Sequence, residues 1–103
     1  MTAPPRLLLL ALDNWYHPPR LARALAEAGF ALEACCFGTE LLAQSGHVGP
    51  RFVLDEVLRK DPQLLLKSVG EVLAAAAPDL VVPIDESSAA VTRRLYQRLA
   101  RHD

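Results

Sequence analysis

Two short polar runs hold the residues best suited to chemistry, Asp13-Asn14-Trp15-Tyr16-His17 and Asp85-Glu86-Ser87-Ser88. If the two runs meet in the fold, Asp13, His17, Asp85 and Glu86 could form a hard-cation or acid–base site. Carboxylate oxygens suit Mg²⁺, and a histidine beside a carboxylate can relay a proton. The same residues also have a plainer use. Asp85 or Ser87 can cap a following helix, acids favour its positive end, and Asp13 can cap a turn. The two uses are compatible, because amides at a helix N-terminus also attract anions. Trp15 and Tyr16 form an aromatic pair that can anchor a partner surface or a planar ligand, or fold back over a sheet edge.

Several familiar chemistries lack their residues. Positions 13–20 contain no glycine and two prolines, so the Gly-x-Gly-x-x-Gly turn that brings backbone amides to a dinucleotide pyrophosphate is missing. No Gly-Lys-Ser/Thr phosphate loop occurs, and no Gly-x-Ser-x-Gly elbow presents a serine nucleophile. His47 lies in a glycine-rich turn and His102 near the end of the sequence. Neither has metal-ligand spacing to the other or to a cysteine. Cys35 and Cys36 are adjacent, so a bond between them would close only a strained ring and could not staple distant segments. On a strand they alternate faces, which places one as a small core residue. Without a cationic neighbour to stabilise a thiolate, neither is expected to be reactive.

The elements that must position the two polar runs follow from the apolar pattern. Leu7-Leu8-Leu9-Leu10-Ala11-Leu12, between Pro4-Pro5 and Asp13-Asn14, reads as a strand buried on both faces, which implies a parallel sheet. Pro18-Pro19 opens a helix with Leu21, Leu25 and Ala28 inward and Arg20, Arg23 and Glu27 in water, stopped by Gly29. Phe30 to Phe37 is a second strand ended by Gly38, and Thr39 caps a brief helical turn through Gln44. A turn over 45–50 leads to a third strand at Arg51–Leu54. Asp61 as N-cap and Pro62 at the first position start a long helix whose stripe is Leu65, Val69, Val72, Leu73 and Ala76, ended by Pro78. Leu80–Ile84 is a fourth strand, although Pro83 removes one ladder donor. The run 85–88 opens a last helix with Val91, Leu95 and Leu99 inward and Arg93, Arg94, Gln97, Arg98 and Arg101 in water.

This alternation predicts an α/β fold of three layers, a four-stranded parallel sheet in order 3-2-1-4 with right-handed crossovers, in one domain spanning 1–103. In such sheets ligands bind beyond the carboxyl ends of the strands where the order reverses, here between the first and fourth strands. Both polar runs fall at that point. The composition agrees with one core: 103 residues, 51% of them apolar and 22% charged. With 11 Lys+Arg against 12 Asp+Glu there is no basic excess for a nucleic-acid backbone or an anionic membrane. The run from Leu7 to Leu12 is far shorter than a membrane span and too short for a signal peptide's apolar region, and the cysteine usage points to a reducing cytoplasm.

Taken in chain order, four features carry a resemblance. They are the apolar strand entering a polar loop and ending in a helix from Pro19 to Phe30; Ser45, Val48 and Phe52; the long helix; and Pro78-Asp79-Leu80-Val81-Val82-Pro83-Ile84-Asp85-Glu86. Nearly the whole chain resembles the N-terminal preATP-grasp domain of ATP-grasp carboxylate–amine ligases. The resemblance implies a domain that precedes two others, which clamp ATP and Mg²⁺ and activate a carboxylate as an acyl phosphate. Residues 1–103 would then not be catalytic alone, and ATP and Mg²⁺ would belong to the longer protein. It further implies that Asp13, Asn14, Trp15, Tyr16 and His17, with Asp85, Glu86, Ser87 and Ser88, face the cleft and help seat a small carboxylate substrate or the nucleotide. The run Asn14 to His17 stands where many members have a glycine-rich loop, which tells against a phosphate role there. Expected partners are the downstream ATP-grasp domains, with homodimerisation open. Two other readings stand beside it. One is a free-standing binding or interaction module using Trp15 and Tyr16. The other is a receiver-like regulatory domain, against which count the missing acidic pair after the first strand and the missing lysine after a late one. Lys60 and Lys67 are the only lysines.

Overall fold

In a computed structural model, described here for residues 3–13, 18–38 and 46–102, the elements run β1 (Arg6–Ala11), α1 (Pro18–Glu27), β2 (Ala31–Phe37), β3 (Arg51–Leu54), a 3-10 helix (Glu56–Lys60), α2 (Pro62–Ala76), β4 (Leu80–Pro83) and α3 (Glu86–His102). The strands form one parallel sheet in the order β3-β2-β1-β4, as the alternation of elements predicts. The helical turn expected at Thr39–Gln44 lies outside the described residues.

The continuous apolar run makes β1 the central strand. Leu8, Leu9, Leu10 and Ala11 are fully buried, because both faces of the sheet are covered there. Alternate residues serve different layers. Leu7, Leu9 and Ala11 pack with Leu32, Ala34 and Cys36 under α1, and Leu8, Leu10 and Leu12 pack with Cys35 and Phe37 under α2 and α3. Both cysteines are therefore core residues, where the alternation of faces was expected to bury one.

The α1 stripe is shifted by one residue from its expected phase. Ala22 is fully buried with Leu25 and Ala26 against it, whereas Leu21 is 37% exposed and Ala28 is exposed. A small residue faces the sheet because it lets the helix backbone come close, and Leu25 and Ala26 pack beside it. The helix ends on Gly29 at φ +102°. The Gly29 N–H donates to the Ala26 carbonyl and the Phe30 N–H to the Leu25 carbonyl, both at 3.1 Å. This is the reciprocal C-terminal pairing that a left-handed residue permits.

The start of α2 matches the sequence signal: Asp61 caps it, its carboxylate accepting from the Leu64 N–H at 3.1 Å, with Pro62 in the first turn. Leu66 joins Val69 and Ala76 as its buried residues, and Leu65, Val72 and Leu73 are half-buried. Pro83 is accommodated because β4 is an edge strand. The Ile84 N–H donates to the Leu10 carbonyl at 3.0 Å, so by the alternation of a parallel ladder the position before it turns its nitrogen away from β1.

A polar clasp closes the N-terminal end of the sheet. The Arg6 guanidinium donates to both oxygens of the buried Glu33, the shortest of these bonds being 2.9 Å, and also to the carbonyls of Ala76 and Ala77 at the end of α2. The Arg6 N–H donates to the Asp79 carboxylate at 2.7 Å. Charge thus satisfies the exposed helix carbonyls and the buried acid together.

Candidate functional site

The C-terminal edge of the sheet brings the beginning and end of the two polar runs together. β1 releases the chain at Leu12 and Asp13, and its neighbour β4 releases it at Ile84 and Asp85, so residues more than 70 positions apart lie within hydrogen-bond reach. The helix that follows β1, α1, packs on one face of the sheet, and the helix that follows β4, α3, packs on the other. This opens the crevice in which doubly wound sheets hold ligands.

Asp85 is the centre of the arrangement. One carboxylate oxygen accepts from the Leu12 N–H at 2.9 Å and the Asp13 N–H at 2.8 Å. The other accepts from the Ser88 N–H at 2.9 Å and from the Ser88 hydroxyl. Four donors converge on one buried carboxylate, which offsets the cost of burying it. Asp85 therefore caps α3 and at the same time ties that cap to the end of β1. Ser88, fully buried, lies between them: its hydroxyl oxygen also lies 3.1 Å from the Leu12 nitrogen.

Asp13 reaches the other way. Its carboxylate accepts from the Ser87 hydroxyl at 2.7 Å and from the Ser87 N–H at 3.3 Å. The two aspartates thus hold the first amides of α3 that face the crevice. An incoming anion at Ser87 or Ser88 would have to displace an internal carboxylate. Glu86 is exposed in the first turn of α3, where the helix dipole favours its charge.

Asn14, Trp15, Tyr16 and His17 lie outside the described residues, so of the nine candidate residues the described structure gathers Asp13, Asp85, Ser87 and Ser88 into one network and leaves Glu86 on its rim. Among the described residues no group of three or more His, Cys, Asp or Glu side chains converges as metal ligands would. The oxygens of Asp13 and Asp85 already accept internal donors, so a cation at these two residues would share or displace those bonds.

Sequence reasoning did not single out Arg59, which stands at the same edge. Its guanidinium carbon lies 3.9 Å from the centre of the Phe37 ring, Nε donates to Glu56 at 2.5 Å, and Nη1 lies 3.4 Å from the Leu12 carbonyl oxygen. The 3-10 helix after β3 carries it there. That helix starts where the Asp55 carboxylate accepts from the Val57 N–H at 3.0 Å. The Asp55 cap is a local clue to the turn, but nothing local shows that the turn folds back over β2.

Cys35 is chemically quiet. Burial, followed by the neighbouring Cys36, pushes its thiol up to about 12 from 9.0, so the nucleophilic thiolate is scarce at neutral pH. His47 is exposed. No helix among the described residues is long and apolar enough to cross a membrane.

No protein-family model, curated protein or solved structure matches the chain. The geometry is that of an α/β domain with a Rossmann-like, all-parallel four-stranded sheet in the order 3-2-1-4.

Proposed function

We propose that this chain is the N-terminal cleft domain of an ATP-dependent carboxylate–amine ligase, a preATP-grasp domain that forms one wall of the active site and performs no catalysis alone. The observation that carries the reading is the junction of β1 and β4 at the crevice. There Asp85 fixes the exit of β1 and the start of α3 relative to each other, giving a rigid wall at the C-terminal edge of the sheet. A wall of this kind positions a substrate through loop residues on a stiff scaffold. ATP and Mg²⁺ belong, on this reading, to downstream ATP-grasp domains of the same protein, and the wall faces the small carboxylate substrate. The carboxylates of Asp13 and Asp85 are already engaged by internal donors, which supports this division of labour.

Titration calorimetry of residues 1–103 with Mg²⁺-ATP tests the reading. Heats indistinguishable from dilution are expected, and a micromolar Kd would overturn the division of labour. The reading frame after Asp103 supplies an independent check, expected to continue into a glycine-rich β-hairpin and a second α/β unit.

A further inference from the structure

Away from the crevice, where α3 passes the first turns of α2, two adjoining concavities of about 170 and 400 Å³ form one groove, polar in the smaller part and mixed in the larger. Arg94, Gln97 and Arg98 of α3 and Gln63, Leu64 and Lys67 of α2 line it, with Asp61 in the larger concavity. Three cations therefore face one acid in a chain whose overall charge is -1. Among the described residues Arg94, Arg98 and Lys67 make no ion pair, whereas Arg6, Arg23 and Arg59 each do.

The local fold does not require this arrangement. Arg94 and Arg98 are one helical turn apart, where like charges repel and destabilise a helix. Dipole stabilisation reaches only the last turn, and α3 continues to His102, beyond both. Between Arg94 and Arg98 their stems shield no apolar surface, since the side chains of Gln63 and Gln97 complete the smaller concavity, and Leu64 is the one apolar side chain lining the larger.

We propose that this groove docks a short acidic polypeptide segment of a protein partner. Its carboxylates would pair with Arg94, Arg98 and Lys67, and the amides of Gln63 and Gln97 would bond the segment's backbone. Paired guanidinium groups suit carboxylates bidentately, and a side-chain amide carries both donor and acceptor. The open, shallow shape fits an extended chain better than a small phosphate compound, which is normally engulfed. A nucleic acid would need a longer basic track than three side chains.

The test is titration of ¹⁵N-labelled protein with a Glu-rich synthetic peptide and with the same peptide carrying Gln for Glu. Inorganic phosphate and a single-stranded oligonucleotide serve as parallel probes. The expected result is saturable shifts at Gln63, Lys67, Arg94, Gln97 and Arg98 with the Glu peptide only, weakening as salt is raised. The double substitution Arg94→Ala with Arg98→Ala should weaken binding about tenfold. Arg94→Lys with Arg98→Lys should recover only part of it, because an ammonium keeps the charge but not the bidentate geometry, and Arg93→Ala, on the same helix but outside the groove lining, should change it less than about twofold. The labelled spectrum itself reports whether each variant is folded. Equal binding of the Gln peptide, an unaffected Arg94/Arg98 double variant, or preferential saturation by phosphate or the oligonucleotide at these residues would each overturn the proposal.

Discussion

The carboxylate of Asp85 accepts a hydrogen bond from the backbone N–H of Leu12 at 2.9 Å, joining the cap of α3 to the last turn-off of β1 across 73 positions of sequence. That bond makes the C-terminal edge of the sheet a single mechanical unit.

Removing Asp85 should therefore destabilise the whole domain. Asp85→Ala leaves the amides of Asp13 and Ser88 without their acceptor, leaves the Leu12 amide only the Ser88 hydroxyl oxygen, and removes a helix cap. The expected loss is about 2–3 kcal/mol, lowering Tm by roughly 10–20 °C. Asp85→Asn keeps one acceptor oxygen and should cost less. Asp13→Ala, whose bonds to Ser87 are exposed, should cost about 0.5–1 kcal/mol. Urea and thermal unfolding of the three variants measures the order, and an Asp85→Ala protein as stable as the parent would remove Asp85 from its structural role.

The clasp at the opposite end should show coupling. Glu33 is buried while the Arg6 side chain is 45% exposed, so solvent screens part of the attraction. A double-mutant cycle with Arg6→Met and Glu33→Gln should give an interaction of about 1–2 kcal/mol. Arg6→Met should be the costlier single change, because it also frees the Ala76 and Ala77 carbonyls. Additive single effects would show that the pair contributes nothing.

Ala77 ends α2 at φ 44°, in the left-handed region, with its N–H donating to the Leu73 carbonyl at 2.9 Å. Glycine adopts this conformation without the Cβ penalty. Ala77→Gly should thus stabilise the protein, by about 0.5–1 kcal/mol, whereas Gly29→Ala, at φ +102°, should destabilise it by at least about 1 kcal/mol. Opposite shifts in Tm are the measurable signature.

Cys35 should resist thiol reagents in the folded protein at pH 8 and react once urea unfolds the chain. Its thiol ionises near 9.0 when unfolded and near about 12 when folded. The unfolded chain therefore holds fewer protons between these values, and stability contributed by the neutral thiol is complete below pH 9 and falls as pH rises toward 12. The slope expected over that window is about 1.4 kcal/mol per pH unit. Cys35→Ala should flatten it, and an unchanged alkaline limb would contradict the assignment.

What the sequence determined by itself is the kind and order of the elements. The apolar run Leu7–Leu12 demanded burial on both faces, Asp61-Pro62 and Pro78 set the ends of α2, and alternating strands and helices left few parallel topologies with right-handed crossovers. These are local rules, enforced by backbone sterics and by the period of the side chains. Tertiary structure decided who meets whom. That Ala22 rather than Leu21 touches the sheet depends on how closely α1 can approach β1 and β2. The pairing of Arg6 with Glu33, the seat of Arg59 on Phe37 and the sharing of Asp85 between Leu12, Asp13 and Ser88 all depend on strands β1, β2 and β4 lying side by side. The same holds for the crevice candidates. Their residue types were legible at Asp13 and Asp85–Ser88, but that the two aspartates spend their oxygens on each other's loops follows only from the 4-to-1 strand neighbourhood. A hydrogen bond is decided within a few tenths of an ångström, and sequence spacing carries no such information across 70 residues.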